Sequence, residues 1–261
     1  MTGDVLEGVR VKLQRAETHL RDLQGLDRTH AKPVSHEHNA EATEHRFRLD
    51  VPAVVDDQVS AIVGDCLHNL RCALDHLAGQ LAIANGGTAD ESKFPIHLDP
   101  LNQNDNPWDH TRHCPCDTLS LALIEKYQPY HRPEPATDPL WLLAQMNNTD
   151  KHRQLLLTYR NFGVYPQSWH TSLKVPNPAV SLVASEPEDG GVVLTLTFSQ
   201  PVPDLQLDPG PSVDICVVND ELDASAYYKD YFEVVPPITE VLNGILRHIR
   251  DRMLPEFAAL L

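Results

Sequence analysis

The chain has 261 residues, with 21 Lys and Arg against 37 Asp and Glu and a formal net charge of −16 at pH 7, a length sufficient for one large domain or two small ones. This acidity argues against broad, nonspecific affinity for nucleic acid, because Lys and Arg supply most of that binding by neutralising phosphates, so any RNA site must be local. The lack of an apolar stretch of bilayer length and of a signal-like start, together with five unevenly spaced cysteines, predicts a cytoplasmic protein with no membrane partner.

The first predicted element is an amphipathic helix from Asp4 to about Asp27. Apolar residues recur there at intervals of three and four, which is the period of a helix with one buried face. They are Val5, Val9, Leu13, Ala16, Leu20 and Leu23.

The next region, Thr29 to Val51, is interpreted as an exposed connection. Its first part, to Glu44, is polar and contains Pro33, and Arg46 to Val51 alternates in polarity like a short edge strand. Its histidines are irregularly spaced, so a solvated linker is favoured over a metal site. They are His30, His36, His38 and His45.

The second predicted helix begins near Pro52 and continues to Asn85-Gly86-Gly87. Pro is tolerated in a first turn, and Asp56 and Asp57 complement the positive end of the helix dipole. Residues 86–116 then have the composition of a long loop, and loops of that length are uncommon unless they are functional or mobile.

Two shorter helices follow. Asp117 or Thr118 is the predicted N-cap of a third helix that ends before Gln128. Asp138 caps a fourth helix, which has Pro139 at its first position and continues to about Leu156.

The composition then changes to β-branched, alternating segments, with Glu188-Asp189-Gly190-Gly191 as a hairpin turn. The predicted strands are Leu156–Tyr159, Thr171–Val175, Ala179–Ser185, Val192–Phe198 and Val213–Val218. The helical period returns from Ser225 to Leu260. We therefore predict an α+β fold, a helical bundle with an antiparallel β-sheet inserted before its C-terminal helix. The expected boundaries are residues 1–157 for the bundle, 158–222 for the sheet and 223–261 for a helix that packs back on the first two helices.

The second helix carries the candidate site in the run Gly64 to Ala78. Its apolar residues fall on one narrow stripe, which is enough to anchor the helix in a core. The stripe consists of Val63, Leu67, Leu70, Leu74, Leu77 and Leu81. The opposite arc, called the polar arc below, consists of Asp65, His68, Arg71, Cys72, Asp75, His76 and Gly79. A flank of small and amphipathic residues between the two, including Asn69, would let another helix approach closely.

Two interpretations of this polar arc are open. In the first, Arg71 and Asp75 form an ordinary i, i+4 ion pair and His68 and His76 make hydrogen bonds within a bundle. In the second, His76 is the base for a 2′-hydroxyl and Arg71 stabilises the phosphate during RNA cleavage. The two side chains lie about 140° apart in projection, so they would serve one phosphate only where two copies of the helix meet in a dimer.

The segment His68-Asn69-Leu70-Arg71-Cys72-Ala73-Leu74-Asp75-His76 resembles the motif helix of HEPN-superfamily proteins. The resemblance implies a helical bundle that commonly dimerises and, when active, cuts RNA without a metal. In that family the residue after the Arg is usually polar, whereas Cys72 stands here, and Asn69 is expected to take the polar role.

The whole chain is also similar to a group of uncharacterised bacterial proteins. They share the LHNLR-x-ALDHLA helix and three further segments. The segments are Phe94-Pro95-Ile96, Gln128-Pro129-Tyr130 and Asp150-Lys151-His152-Arg153.

The basic residues Lys151, His152 and Arg153 also have two interpretations. They suit the negative end of the fourth helix, and they could equally give a phosphate or carboxylate a local positive patch. We therefore predict Arg71, His76 and Asn69 as catalytic residues. The predicted substrate-binding residues are His68, Asp75, Lys151, His152 and Arg153.

A metal site at His110, His113, Cys114 and Cys116 is the weaker hypothesis, because Cys-x-Cys is tighter than the usual zinc spacing and no second pair follows. No cofactor or metal is expected. Phosphate-loop, nucleophile-elbow and zinc-helix motifs do not occur. Two functions remain: a metal-independent endoribonuclease acting as a defence or toxin effector, and a noncatalytic binding or assembly protein whose polar arc is an interface. The expected partners are RNA or a nucleotide and a second copy of the chain.

Overall fold

A computed structural model describes residues 4–26, 32–50, 55–90, 92–98, 114–152, 157–163, 169–170, 180–185, 192–207, 212–217 and 236–261. The described α-helices are α1 (Glu7–Leu26), α2 (Asp57–Ala84), α3 (Thr118–Lys126), α4 (Pro139–His152), α5 (Ile238–Arg247) and α6 (Leu254–Ala258). The described strands are β1 (Lys32–His38), β2 (Glu44–Asp50), β3 (Leu157–Gly163), β4 (Trp169–His170), β5 (Val180–Ser185), β6 (Val192–Phe198), β7 (Gln206–Leu207) and β8 (Ser212–Val217). The predicted α+β class is confirmed.

The chain divides into two units. A helical unit contains residues 1–25, 56–156 and 217–261, and a strand unit contains residues 26–55 and 157–216. Among the described helices, none combines the length and the apolar composition that crossing a bilayer requires.

The first two helices follow the predicted apolar pattern. In α1 all the predicted apolar residues are buried except Val5, which precedes the helix and is 48% exposed. In α2 the whole predicted stripe from Val63 to Leu81 is buried. The two helices are in contact, since the Cys66 thiol donates to the carbonyl oxygen of Ala16 at 3.5 Å.

The start of α2 differs from the prediction. The helix begins at Asp57 rather than near Pro52, because the Asp56 carboxylate accepts a hydrogen bond from the Gln58 amide at 2.8 Å and so caps the first turn. Residues 51–54 lie outside the described part of the chain. The helix ends as predicted, with Asn85 as C-cap.

The predicted caps of α3 and α4 are confirmed. Asp117 accepts from the Ser120 amide at 2.6 Å, and Asp138 accepts from the Leu140 amide at 2.8 Å. Helix α4 ends at His152. The predicted extension to Leu156 falls on residues 153–156, outside the described chain.

The C-terminal helix is interrupted by a π-helical segment, His248–Met253, between α5 and α6. Pro255 follows it and has no amide to donate to the Asp251 carbonyl, which gives a physical reason for the widened turn. Helix α5 packs against α2 and α4, and α6 packs against α3. The predicted start at Ser225 lies outside the described residues, and the described helix begins at Ile238.

The largest sheet has the strand order β1-β2-β6-β5, with every neighbouring pair antiparallel. The predicted β5–β6 hairpin is confirmed by its pairing, and its turn, residues 186–191, lies outside the described residues. One face of β2 and β6 is buried, and it consists of His45, Phe47, Leu49, Leu194, Leu196 and Phe198. Two further pairs, β3 with β8 and β4 with β7, complete the described strands.

Two expectations for residues 29–51 are corrected. The described part of this region is a hairpin rather than an exposed connection, and β2 is an interior strand rather than an edge strand. The turn is stabilised by Asn39, whose side-chain oxygen accepts from the amides of Thr43 at 2.8 Å and Glu44 at 3.1 Å. The sheet was predicted to come from residues 158–222 alone. Because β2 pairs with β6, it also contains strands that precede α2 in the chain.

Candidate functional site

Arg71 lies at the centre of the predicted site and joins α2 to the segment that begins at Phe94. Its Nε and Nη2 donate to the two oxygens of Asp75 at 3.3 and 2.8 Å, and Nη2 also donates to the Phe94 carbonyl at 2.7 Å. The Phe94 amide donates back to Asp75 at 3.0 Å. Both backbone groups of Phe94 are thus held by one ion pair, which is itself partly buried.

A second side chain holds the next residues of this segment. Gln128, 1% exposed, donates from Nε2 to the carbonyls of Pro95 and Ile124 at 3.0 and 3.1 Å and accepts from the His97 amide at 3.0 Å. The Phe94-Pro95-Ile96 and Gln128-Pro129-Tyr130 segments therefore meet in space. Arg71, Asp75 and Gln128 together fix an irregular segment to the helical unit.

His76 lies away from this arrangement. Its side chain is exposed, and its Nδ1 is the atom that a Cβ added to Gly8 of α1 would approach to 2.9 Å. Asn69 donates from Nδ2 to the Asp65 carbonyl of its own helix at 2.8 Å. The three predicted catalytic residues therefore contact three different neighbours.

His68 and Lys151, two of the predicted substrate-binding residues, lie where α2 passes α4. The His68 Nε2 lies 3.4 Å from the Cys72 thiol, and Asp150 packs so close to Gly64 that an added Cβ would meet its carboxylate at 2.8 Å. Burial, assisted by Asp65, raises the pKa of Asp150, and His68 opposes that shift. Lys151 is exposed. His152 ends α4, and Arg153 lies outside the described residues.

Sequence reasoning missed a cavity of about 560 Å³ in the helical unit. We call it the C-terminal cavity. It lies between the 126–138 segment and the π-helical turn. Its lining includes Lys126, Tyr127, His131, Arg132, Asp138, His248, Asp251, Arg252, Pro255 and Glu256.

His248 is the most unusual residue of this cavity. It is 5% exposed, and its Nε2 has no hydrogen-bond partner among the described residues. Burial lowers the pKa of His248; Asp138 opposes this shift, and Arg132 and Arg252 add to it. Burial and the neighbouring Glu256 raise the pKa of Tyr127, another lining residue, to about 12. Two sequence signals pointed here: a histidine beside the apolar Ile249, and Pro255 inside a helical pattern.

Of the four residues of the predicted metal site, the structure describes Cys114 and Cys116. Cys114 and Cys116 are free thiols whose sulfur atoms lie 3.6 Å apart, whereas His110 and His113 lie outside the described residues. A hydrogen bond from Cys114 lowers the pKa of Cys116. Within the described ranges, no group of three or more His, Cys, Asp or Glu residues could hold a metal ion.

Comparisons of the chain with family models, with curated proteins and with solved structures find no match.

Proposed function

We propose that this chain is a noncatalytic, HEPN-like binding and assembly protein, in which the polar arc of α2 forms an interface with a second copy. The observation that carries the proposal is the engagement of Arg71. A guanidinium grips a phosphate through two parallel N–H donors on one edge. The Nε and Nη2 edge of Arg71 is occupied by Asp75, and the second Nη2 hydrogen is occupied by Phe94.

Recruiting Arg71 to a phosphate would disrupt more than one ion pair. It would leave the Phe94 carbonyl without its donor and Asp75 without its partner, and both are partly buried. His76 faces the first turns of α1 instead. Arg71 and Asp75 therefore hold the segment that begins at Phe94, and this argues against a phosphate role for Arg71 in cleavage.

The exposed side chains of the polar arc and of the neighbouring end of α4 together have mixed charge. Asp65 and His68 are exposed on α2, and Lys151 is exposed at the neighbouring end of α4. A twofold axis that passes between Asp65 and Lys151 brings the acidic group of one copy to the basic group of the other. Local pairing of this kind would offset the repulsion between two chains that each carry a net charge of −16.

The cleavage test compares the parent protein with His76→Ala on single-stranded and hairpin RNA in the presence of EDTA. His19→Ala on α1 is the matched control, since it removes a histidine outside the motif. We expect the three proteins to leave RNA equally intact. Cleavage by the parent and by His19→Ala that disappears in His76→Ala would overturn the proposal and support the endoribonuclease, with His76 as base and Arg71 at the phosphate.

The assembly test measures mass by analytical ultracentrifugation at about 100 μM, where even a weak dimer is populated. We expect a dimer that Asp65→Lys dissociates and that the charge swap Asp65→Lys with Lys151→Glu restores. Asp22→Lys, on the exposed side of α1, makes the same charge change outside the interface and should remain dimeric. A parent protein that stays monomeric at this concentration would contradict the assembly part.

A further inference from the structure

We propose that the C-terminal cavity binds a small organic anion that carries a phosphate or carboxylate group, held by Arg252 and His248. This inference goes beyond the proposed function, because it concerns a different surface of the helical unit.

The charges around the cavity leave Arg252 available for an anion. Each of its carboxylates already has a basic partner: Asp138 with Arg132 at 3.1 Å, Glu256 with Lys126 at 2.5 Å and Asp251 with Arg250 at 2.7 Å. Arg252 has no carboxylate within ion-pair distance in the part of the chain that the structure describes. A free guanidinium in a concave site favours an anion with two acceptor oxygens.

An imidazole nitrogen beside the cavity has no hydrogen-bond partner among the described residues. Buried polar side chains are nearly always hydrogen-bonded, so an unsatisfied one that lines a cavity points to a group that enters it. His248 lines the cavity, and its Nε2 is buried with no hydrogen-bond partner among the described residues. Because burial lowers its pKa, His248 is neutral at pH 7, and as the Nε2–H tautomer it can donate to an oxygen of the anion.

The cavity has the size of a site for a small organic molecule. A volume of about 560 Å³ lies within the range of sites for small organic molecules, roughly 300–1,000 Å³. The Tyr127 ring and Pro255 supply apolar surface beside the charged groups. An inorganic ion would leave that surface without a contact, and a metabolite-sized ligand would cover it.

The π-helical turn places the two binding groups. It hydrogen-bonds residue i to residue i+5, so residues four apart such as His248 and Arg252 share one side of the helix. Tyr127 braces the turn, because its hydroxyl donates to the Arg252 carbonyl at 3.0 Å and its ring meets that of His248 edge to face. π-Helical turns occur frequently at functional sites.

The test is isothermal titration calorimetry of the full chain with inorganic phosphate, AMP and citrate as separate probes. Binding of AMP assigns the site to phosphate monoesters, and binding of citrate alone assigns it to carboxylates. Inorganic phosphate binding without AMP binding would show a bare ion site and overturn the organic ligand. Absence of binding by all three at about 10 mM, a weak limit for a specific site, would overturn the proposal entirely.

Two arginine variants distinguish direct contact with the anion from a long-range effect of positive charge. Arg252→Gln should weaken binding by about tenfold or more, since it removes a charge-assisted hydrogen bond. Arg247→Gln, which removes an exposed charge from α5 outside the cavity, should change it by less than about twofold. Equal weakening by both would mean a long-range charge effect and overturn the site. His248→Asn tests whether the imidazole contributes to anion binding. If that variant unfolds, Arg252→Gln still tests the site, because Arg252 is exposed and its substitution leaves the core intact.

Discussion

Arg71 and Asp75 show what a local pattern can and cannot predict for single residues. Their spacing of four predicts an ion pair in any helix, and the structure contains it. The donation to Phe94 joins residues 23 positions apart and cannot be read from the helical period. The role of Arg71 therefore depends on the position of the segment that begins at Phe94, which local sequence patterns do not predict.

His45 shows the same limit in the strand unit. It is fully buried, with Nε2 3.2 Å from the Ala42 carbonyl and Nδ1 2.9 Å from His36 Nε2. Because a carbonyl only accepts, His45 carries its proton on Nε2, and His36 donates to Nδ1. The His36 ring also stacks on Phe47 at 4.1 Å between centroids. An exposed linker was the wrong interpretation for His45.

The histidine pair predicts a loss of stability in acid. Burial lowers the pKa of both His36 and His45 from 6.5, so below that pH the unfolded chain binds more protons than the folded one. Stability should therefore be present above pH 6.5 and fall as the pH drops through the folded pKa. In a proton NMR titration we expect the His45 Cε1–H midpoint below 6.5.

A melting series from pH 7.5 to 5.5 checks the same prediction. His45→Asn should flatten the acid loss, and His19→Asn, on α1 and outside the pair, should leave it as in the parent. A His45 midpoint at or above 6.5 would contradict the assignment.

At the scale of elements, caps and apolar periods predicted the helices, because both are local properties of the chain. The β1–β2 hairpin was missed because its turn is stabilised by the Asn39 side chain rather than by a Gly-rich signal, and Ala42 adopts a φ of 51° there. The π-helical turn was missed because it arises from a backbone conflict at Pro255 within a regular apolar pattern.

We expect substitution by alanine to have different effects on the free energy of unfolding at two helical glycines. Alanine is favoured over glycine in a helix interior by about 0.5–1 kcal/mol. Gly244 of α5 has nothing within 4 Å of an added Cβ, so Gly244→Ala should raise the free energy of unfolding by that amount. In Gly79→Ala the new Cβ would lie 3.1 Å from that of Ala89, and we expect the gain to vanish or reverse.

Urea unfolding of the two variants beside the parent measures this difference. An equal gain in the free energy of unfolding for both variants would show that residues 87–90 can move away from the new methyl group. Gly79 would then not be required for packing against Ala89.

At the scale of the whole molecule, the α+β class and the buried face of α2 were predictable, and the composition of the sheet was not. Pairing of β2 with β6 joins residues on either side of the described helices α2, α3 and α4, and no local pattern carries that information. The C-terminal cavity was not predicted for the same reason, since its lining residues come from two distant parts of the chain, 126–138 and 248–256.

The net charge of −16 predicts that salt stabilises this protein. Screening weakens repulsion among its carboxylates, and the described ion pairs are mostly exposed and contribute little. Raising NaCl from about 20 to 200 mM at pH 7.5 should raise the melting temperature by about 2–4 °C. The same step near pH 5, where carboxylates begin to protonate, should have a smaller effect. A melting temperature that falls with salt at pH 7.5 would mean that attractive pairs outweigh the repulsion.

The pairing of β2 with β6 also has a consequence for biosynthesis. The ribosome completes the β1–β2 hairpin early, but the strand that covers its open side emerges only after α2, α3 and α4. During that interval β2 presents unpaired backbone groups and the apolar Phe47 and Leu49 to other nascent chains. The interval between the synthesis of β2 and that of β6 is therefore the time in which this edge of the hairpin is open to incorrect pairing.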